Sequence, residues 1–248
     1  MYRDAHETDK LETLCQSSSI LMQRYRMKET RDIAQKTQDK ESLVVVMKGS
    51  VEIKGSGFGP ETLGEMDVYY IPRDEEFTIR RLSDFAEVIV AFAPAARKYA
   101  PYLKRYSDIK PIAGGMGSYK RQIYNVITEK DQANRFLGGF VKGEDGNWGG
   151  FPPHKHDGKP EVYVYFGMGK RFGIQMVLTE EKDSAYVVRD GDAVYFEKGY
   201  HPCVATPGAG MNFLWVISAK PEARDLSIDF HPDYKDMPVG STHLKLEK

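Results

Sequence analysis

The sequence predicts an all-β protein built from two copies of one small sandwich or barrel domain. Short apolar and aromatic runs with turn signals between them, little helical periodicity, and a pair of motifs that recurs in the same order carry this expectation. The runs fall at residues 43–47, 68–71, 87–92, 162–166, 174–178, 193–196 and 212–218. They are rich in Val, Ile, Tyr and Phe and are punctuated by Gly, Pro, Asp and Lys, the composition of strands separated by turns. Helical periodicity is confined to residues 4–15 and 95–106, the second rich in Ala, Lys, Arg and Tyr. An α/β barrel would fit the length, but it needs about eight helices that the pattern does not supply.

The repeat divides the chain. Glu41-Ser-Leu-Val-Val-Val-Met-Lys-Gly49 and Glu161-Val-Tyr-Val-Tyr-Phe-Gly-Met-Gly169 each run from a Glu through an apolar strand to a Gly, at an offset of 120. Gly64-Glu-Met-Asp67-Val-Tyr-Tyr-Ile71 and Asp190-Gly-Asp192-Ala-Val-Tyr-Phe196 match at an offset of 125 when Asp67 is laid on Asp192. Such repetition is the mark of a duplicated structural unit. Lys110-Pro-Ile-Ala-Gly-Gly-Met-Gly117 interrupts the strand pattern between the copies. The expected domains are therefore 1–110 and 111–248.

Composition narrows the function classes. Of 248 residues, 35 are Lys or Arg and 36 Asp or Glu, a net charge of −1 that offers no bulk attraction to nucleic acid or an anionic membrane. Cys15 and Cys203 are too few for a disulfide framework or a Cys-rich zinc module. The first residues are charged and lack an apolar signal core, and the longest apolar run falls far short of the ~20 residues of a membrane span. A cytoplasmic protein is the expectation.

The chemistry concentrates in the second copy. In Phe151-Pro-Pro-His154-Lys-His156-Asp-Gly-Lys-Pro-Glu161, two imidazoles stand at i and i+2, a spacing that puts both rings on one face of a strand. A turn at 157–160 can return the Glu161 carboxylate to the same pocket, and His201 follows Gly199-Tyr200 at the end of the second motif. Three neutral imidazoles and one carboxylate suit one divalent metal per chain with positions left for substrate. His154, His156, Glu161 and His201 are thus the expected ligands, with Zn first and Mn, Fe, Co or Ni as alternatives. At the corresponding positions of the first copy stand Ala34, Lys36 and Glu76, with Glu41 in the place of Glu161. The first copy is accordingly expected to be structural and metal-free, and to share in a homodimer or higher homo-oligomer that covers its sheet edges.

The segment Gly146-Asn-Trp148-Gly-Gly-Phe151-Pro-Pro-His-Lys-His-Asp157 resembles the signature of the 5-deoxy-glucuronate isomerase family of inositol catabolism, within the cupin superfamily. Val188-Arg-Asp-Gly-Asp192, Lys198-Gly-Tyr-His-Pro202 and Phe213-Leu-Trp-Val-Ile-Ser-Ala219 match as well, so the likeness spans most of residues 120–233. Two departures stand out: a Ser-Ser pair of the family is here Gly149-Gly150, and the stretch from Asp157 to Glu161 is shorter. The resemblance implies a bicupin, two double-stranded β-helix jelly rolls with few short helices, the first degenerate and the second carrying the metal. It also implies a metal-dependent aldose–ketose isomerase of a deoxy sugar acid, with 5-keto-4-deoxyuronate isomerase as the sister activity.

Such an isomerase needs a Lewis acid at the carbonyl and hydroxyl oxygens and a separate base within hydrogen-bond reach of the C2 proton. Tyr163 and Tyr165 share strand parity with Glu161 and Gln175 lies on the neighbouring run, so all three are interior candidates; Tyr163 and Gln175 are the catalytic candidates. Arg171, Arg189 and Lys198 are candidates for the substrate carboxylate. An iron oxygenase and a non-catalytic sugar-binding protein compete with this reading, since the same ligands and fold serve both. No attached DNA-binding helix pair favours a sensor.

Overall fold

The computed structural model describes residues 9–29 and 31–240 and contains, among them, strands and four single-turn 3₁₀ helices but no α-helix. Two compact units divide the chain: residues 9–109 with 131–135, and residues 110–130 with 136–240. The division falls next to the expected boundary at 110, but the short loop 131–135 returns to the first unit, which a single cut does not capture.

The first unit contains β1 (Leu11–Gln16), β2 (Leu21–Met27), β3 (Ile33–Lys36), β4 (Lys40–Lys48) and β5 (Val51–Gly55). It continues with β6 (Glu61–Leu63), β7 (Val68–Ile71), β8 (Glu76–Arg81), β9 (Ala86–Pro94) and β10 (Tyr102–Lys104). They form one sheet in the order β1-β2-β9-β4-β7-β10 and a second in the order β3-β8-β5-β6. All pairings are antiparallel. Val44, Val46, Tyr69, Ile71, Val88 and Val90 from the first sheet meet Val51, Ile53, Leu63, Phe77 and Ile79 from the second in one buried core. Two sheets that each bury one face require this alternation of inward apolar side chains.

The second unit contains β11 (Ile112–Gly114), β12 (Arg121–Ile127), β13 (Phe136–Gly143), β14 (Trp148–Gly149), β15 (His154–Lys155) and β16 (Glu161–Tyr165). After these come β17 (Gly173–Val177), β18 (Ser184–Val188), β19 (Ala193–Phe196), β20 (Cys203–Ala205), β21 (Phe213–Ser218) and β22 (Asp229–Phe230). Its sheets run β11-β12-β13-β21-β16-β19 and β14-β20-β17-β18, with β15 and β22 paired beside them. Apart from the edge strands β10 and β11 and the β15–β22 pair, the two units share one strand order. The duplication read from two motifs extends to the whole topology.

Register corrects two correspondences. Ser42 pairs with Ile71 and Phe92, and Glu161 pairs with Phe196 and Ile217. Ser42, not Glu41, therefore occupies the place of Glu161. A shift of one residue along a strand moves a side chain to the other face of the sheet. Glu41 is fully buried on that other face, where its carboxylate accepts hydrogen bonds from the backbone N–H of Asn134 (2.6 Å) and Arg135 (2.7 Å). The Asn134 amide (3.0 Å) and the Tyr70 hydroxyl (2.9 Å) donate to it as well. This carboxylate holds the 131–135 loop to the first unit. Val51 pairs with Leu63 and Arg81 where Gly173 pairs with Val188 and Ala205, so Phe77, not Glu76, occupies the place of His201. Lys36 and Glu76 instead form a 2.5 Å ion pair between exposed side chains across β3 and β8.

Neither helical expectation holds in the described residues. Residues 4–8 lie outside them, and Leu11–Gln16 is a strand whose register shifts between Thr13 and Cys15. That irregularity places Leu14 and Cys15 both inside and imitates a helical period. Glu12 is buried as well, 2.7 Å from Arg24, so a charged residue sits where the pattern suggests a solvent face. In 95–106, the N–H of Ala95 goes to the Asp39 carbonyl and those of Ala96 and Arg97 to the Asn134 side chain. Tyr102 then enters β10 and stacks on Tyr70, with ring centroids 4.8 Å apart. Tertiary partners take the backbone groups that a helix would have used.

Glu41→Ala should destabilise the protein by about 3 kcal/mol in urea unfolding, because four buried donors lose their acceptor together. Metal content should stay at the wild-type value, since the residue lies in the other unit from the histidine cluster. Unchanged stability would show that the loop is held by something else.

Candidate metal centre and pocket

The second unit's first sheet presents Glu161, Tyr163 and Tyr165 on one face of β16, and both tyrosines belong to the buried core between the sheets. The inward parity assigned from sequence is the one observed. His154 and His156 are brought in by β15 and the turn that follows, in which the Lys159 N–H donates to the His156 carbonyl. Lys155 points away and pairs with Asp157 at 2.7 Å. His201 enters from the segment between β19 and β20, and its N–H donates to the His154 carbonyl at 3.3 Å. Ring centroids lie 5.0 Å apart for His154–His201 and His156–His201, and 6.4 Å apart for His154–His156. One imidazole nitrogen each from His156 and His201 and an oxygen of Glu161 all lie within 4.8 Å of one another. His154 stands beside this trio rather than inside it.

The hydrogen bonds fix which nitrogen faces inward. Nδ1 of His154 lies 3.0 Å from the Pro152 carbonyl, that of His156 2.9 Å from the Lys159 carbonyl, and that of His201 2.9 Å from the Gly199 carbonyl. A carbonyl oxygen only accepts, so each Nδ1 carries the proton and, in the neutral ring, each Nε2 keeps a lone pair. His156 Nε2 lies 2.9 Å and His201 Nε2 3.3 Å from the same Glu161 oxygen. The His201 Nε2 is buried without a hydrogen-bond partner. Lone pairs gathered round a carboxylate oxygen need a cation among them, either a proton or a metal ion. The donor set of imidazole nitrogens and one carboxylate fits a divalent metal.

The electrostatics agree with that arrangement. Burial, reinforced by His201 and His156, pushes His154 down to about 3, so this ring stays neutral. Burial also opposes charge on His156, but the Glu161 carboxylate more than reverses it and raises this ring. Glu161 is held down at about 2 by His156 and His201 in spite of its burial.

Two further features shape the surroundings. Gln175, fully buried, accepts from the Tyr165 hydroxyl at 2.6 Å and donates to the carbonyls of Met176, His201 and Pro202 at 2.7–3.1 Å. All of its hydrogen-bonding groups are used, so it positions His201 and takes no part in acid–base chemistry. Gly150 has φ +57, and a Cβ there would stand 2.9 Å from the His201 carbonyl oxygen. The Gly149-Gly150 departure thus coincides with a close backbone approach that favours glycine.

A pocket opens over the cluster. His154, His156, Glu161 and Tyr163 line it together with Arg121, Asn125, Trp215 and Ser227. Tyr163 stacks on Phe213 at 4.0 Å, and burial pushes its phenol well above the usual range, so it stays protonated at neutral pH and can donate a hydrogen bond. Arg171, Arg189 and Lys198 are absent from this wall. All three are exposed: Arg189 lies over the Phe172 ring and Lys198 pairs with Glu181 at 2.9 Å. Sequence reasoning missed Arg121. Its one available signal was shared parity with Ile123 and Asn125 on β12, which also line the pocket.

Two-sheet sandwiches in tandem, the second enclosing a histidine–carboxylate cluster, define a bicupin. The fold matches an IolB-like protein from Salmonella typhimurium with a TM-score of 0.80 at 19% identity, covering 91% of this chain and 97% of that one. Oxalate decarboxylase of Bacillus subtilis shares the fold at a TM-score of 0.65 and 14% identity, over 82% of this chain and 70% of its own. The chain belongs to the KduI/IolB family, whose model matches residues 6–237. The 5-deoxy-glucuronate isomerases of Geobacillus kaustophilus and Geobacillus thermodenitrificans are each 30% identical over 214 residues, 78% of this chain and 77% and 78% of theirs. Among the described residues, no helix is long and apolar enough to cross a membrane.

Between pH 6.5 and about 3, the unfolded chain protonates His154 while the folded protein does not, so the unfolded state binds more protons and stability falls as pH falls. In chelator-treated protein the melting temperature should drop across this window more steeply in wild type than in His154→Gln. Equal slopes would contradict the burial argument. Gln175→Ala, which strips the His201 carbonyl of its partner, should weaken metal affinity about 10- to 100-fold by metal titration.

Proposed function

We propose that this protein is a metal-dependent aldose–ketose isomerase of a deoxy sugar acid, with 5-deoxy-glucuronate as the first substrate to test. The observation that carries the reading is the convergence of three Nδ1-anchored imidazoles and Glu161 at the base of a lined pocket. Family membership and the activity named for the Geobacillus relatives supply the substrate class.

His154, His156, Glu161 and His201 would hold one divalent metal, zinc being the first candidate. Such an ion supplies Lewis-acid stabilisation of vicinal sugar oxygens as charge develops on them. The chain's own residues do the rest. Three backbone carbonyls fix the imidazoles, so no ring has to reorient during turnover. Tyr163, neutral and rigidly stacked, is placed to donate a hydrogen bond to a sugar oxygen that gains negative charge. Val141, Phe213, Trp215, Ile217, Leu226 and Ile228 on the pocket wall exclude water from the reacting carbons.

His156→Ala should abolish isomerisation of 5-deoxy-glucuronate and reduce bound metal by elemental analysis, while circular dichroism keeps the all-β signature. The assay should run in parallel with 5-keto-4-deoxyuronate. Full activity in the chelated variant would sink the mechanism.

A further inference from the structure

We infer that Arg121 is the anchor for the substrate's carboxylate and the residue that makes the pocket selective for a sugar acid over a neutral sugar. The inference rests on the sugar-acid reading above. A carboxylate leaving water for a mostly apolar pocket loses part of its hydration, which is unfavourable unless a charged partner replaces the water. Among the residues that line the pocket, Arg121 is the one Lys or Arg side chain. It is 5% exposed, and no carboxylate of the described residues lies within ion-pair distance of it. Its Nη1 donates to the Tyr119 carbonyl at 3.0 Å. That single bond holds the guanidinium in place and leaves donors for a ligand, whose two carboxylate oxygens match the planar fork.

Position supports the assignment. Arg121 opens β12, whose alternate residues Ile123 and Asn125 share the pocket wall, so the strand's parity turns all three the same way. An arginine keeps its charge. A buried and unpaired guanidinium is a liability for folding that a substrate anion would relieve. By contrast, the solvent-exposed Arg171, Arg189 and Lys198 have water as their alternative partner and could confer little selectivity.

The test compares zinc-loaded wild type, Arg121→Gln and Arg121→Lys. KM and kcat are measured on 5-deoxy-glucuronate and on its neutral analogue with a primary alcohol in place of the carboxylate. Arg121→Gln should lose about 100-fold in kcat/KM on the acid, chiefly through KM, and stay within about threefold on the neutral sugar. Arg121→Lys should recover part of the loss, since it restores charge without the fork. The melting temperature of Arg121→Gln should hold or rise, because the variant removes an unpaired buried charge. Equal losses on both sugars, or no loss on the acid, would overturn the assignment. Equilibrium binding of D-glucuronate separates this inference from the function it rests on. If wild type isomerises neither uronate, the isomerase reading fails, and glucuronate binding weakened by Arg121→Gln would still support the anchor. Equal glucuronate affinity in wild type and variant would refute it.

Discussion

Three hydrogen bonds from imidazole Nδ1 groups to backbone carbonyls are the constraint on which the second unit's chemistry depends. They turn three rotatable rings into fixed donors, and the Nε2 atoms of His156 and His201 face Glu161. The accepting carbonyls belong to Pro152, Lys159 and Gly199, each two or three residues from its histidine, so local loop geometry sets each ring. Tertiary contacts then set the loops against one another. His201 N–H to the His154 carbonyl and Gln175 to the His201 carbonyl are the joints. A cluster that could hold a metal ion is preorganised when it is assembled this way.

The same β-framework behaves differently in the two units because of what stands at equivalent positions. Ser42 takes the place of Glu161, and the exposed Lys36–Glu76 ion pair lies on the strands β3 and β8. Both arrangements are compatible with a sandwich whose core is Val, Ile, Leu, Tyr and Phe, so the fold tolerates either. Fold and chemistry are separable here: the core clusters hold the sheets together, and a few substitutions at one end of one sandwich introduce the histidine–carboxylate cluster.

Much of the site was legible in the sequence. The i, i+2 spacing of His154 and His156 and the parity of Glu161, Tyr163 and Tyr165 are strand properties, and strands transmit them faithfully. Gln175 was legible as interior, but not in its role, because its partners are carbonyls of residues 176, 201 and 202. Arg171, Arg189 and Lys198 were drawn from positions near the motifs in sequence, yet their side chains lie on the solvent side. Arg121 lies far upstream in sequence and reaches the pocket only because β12 pairs with β13 in the same sheet as β16.

By itself the sequence determined the all-β class, the duplication, and the four residues gathered at the histidine cluster, since periodicity and motif spacing are local properties of the chain. Only the tertiary structure decided that Ser42 rather than Glu41 matches Glu161, where the 131–135 loop belongs, and which cation lines the pocket. Each of these turns on register or on pairing between distant strands. A shift of one residue exchanges the faces of a sheet, and no local pattern records which strands will become neighbours.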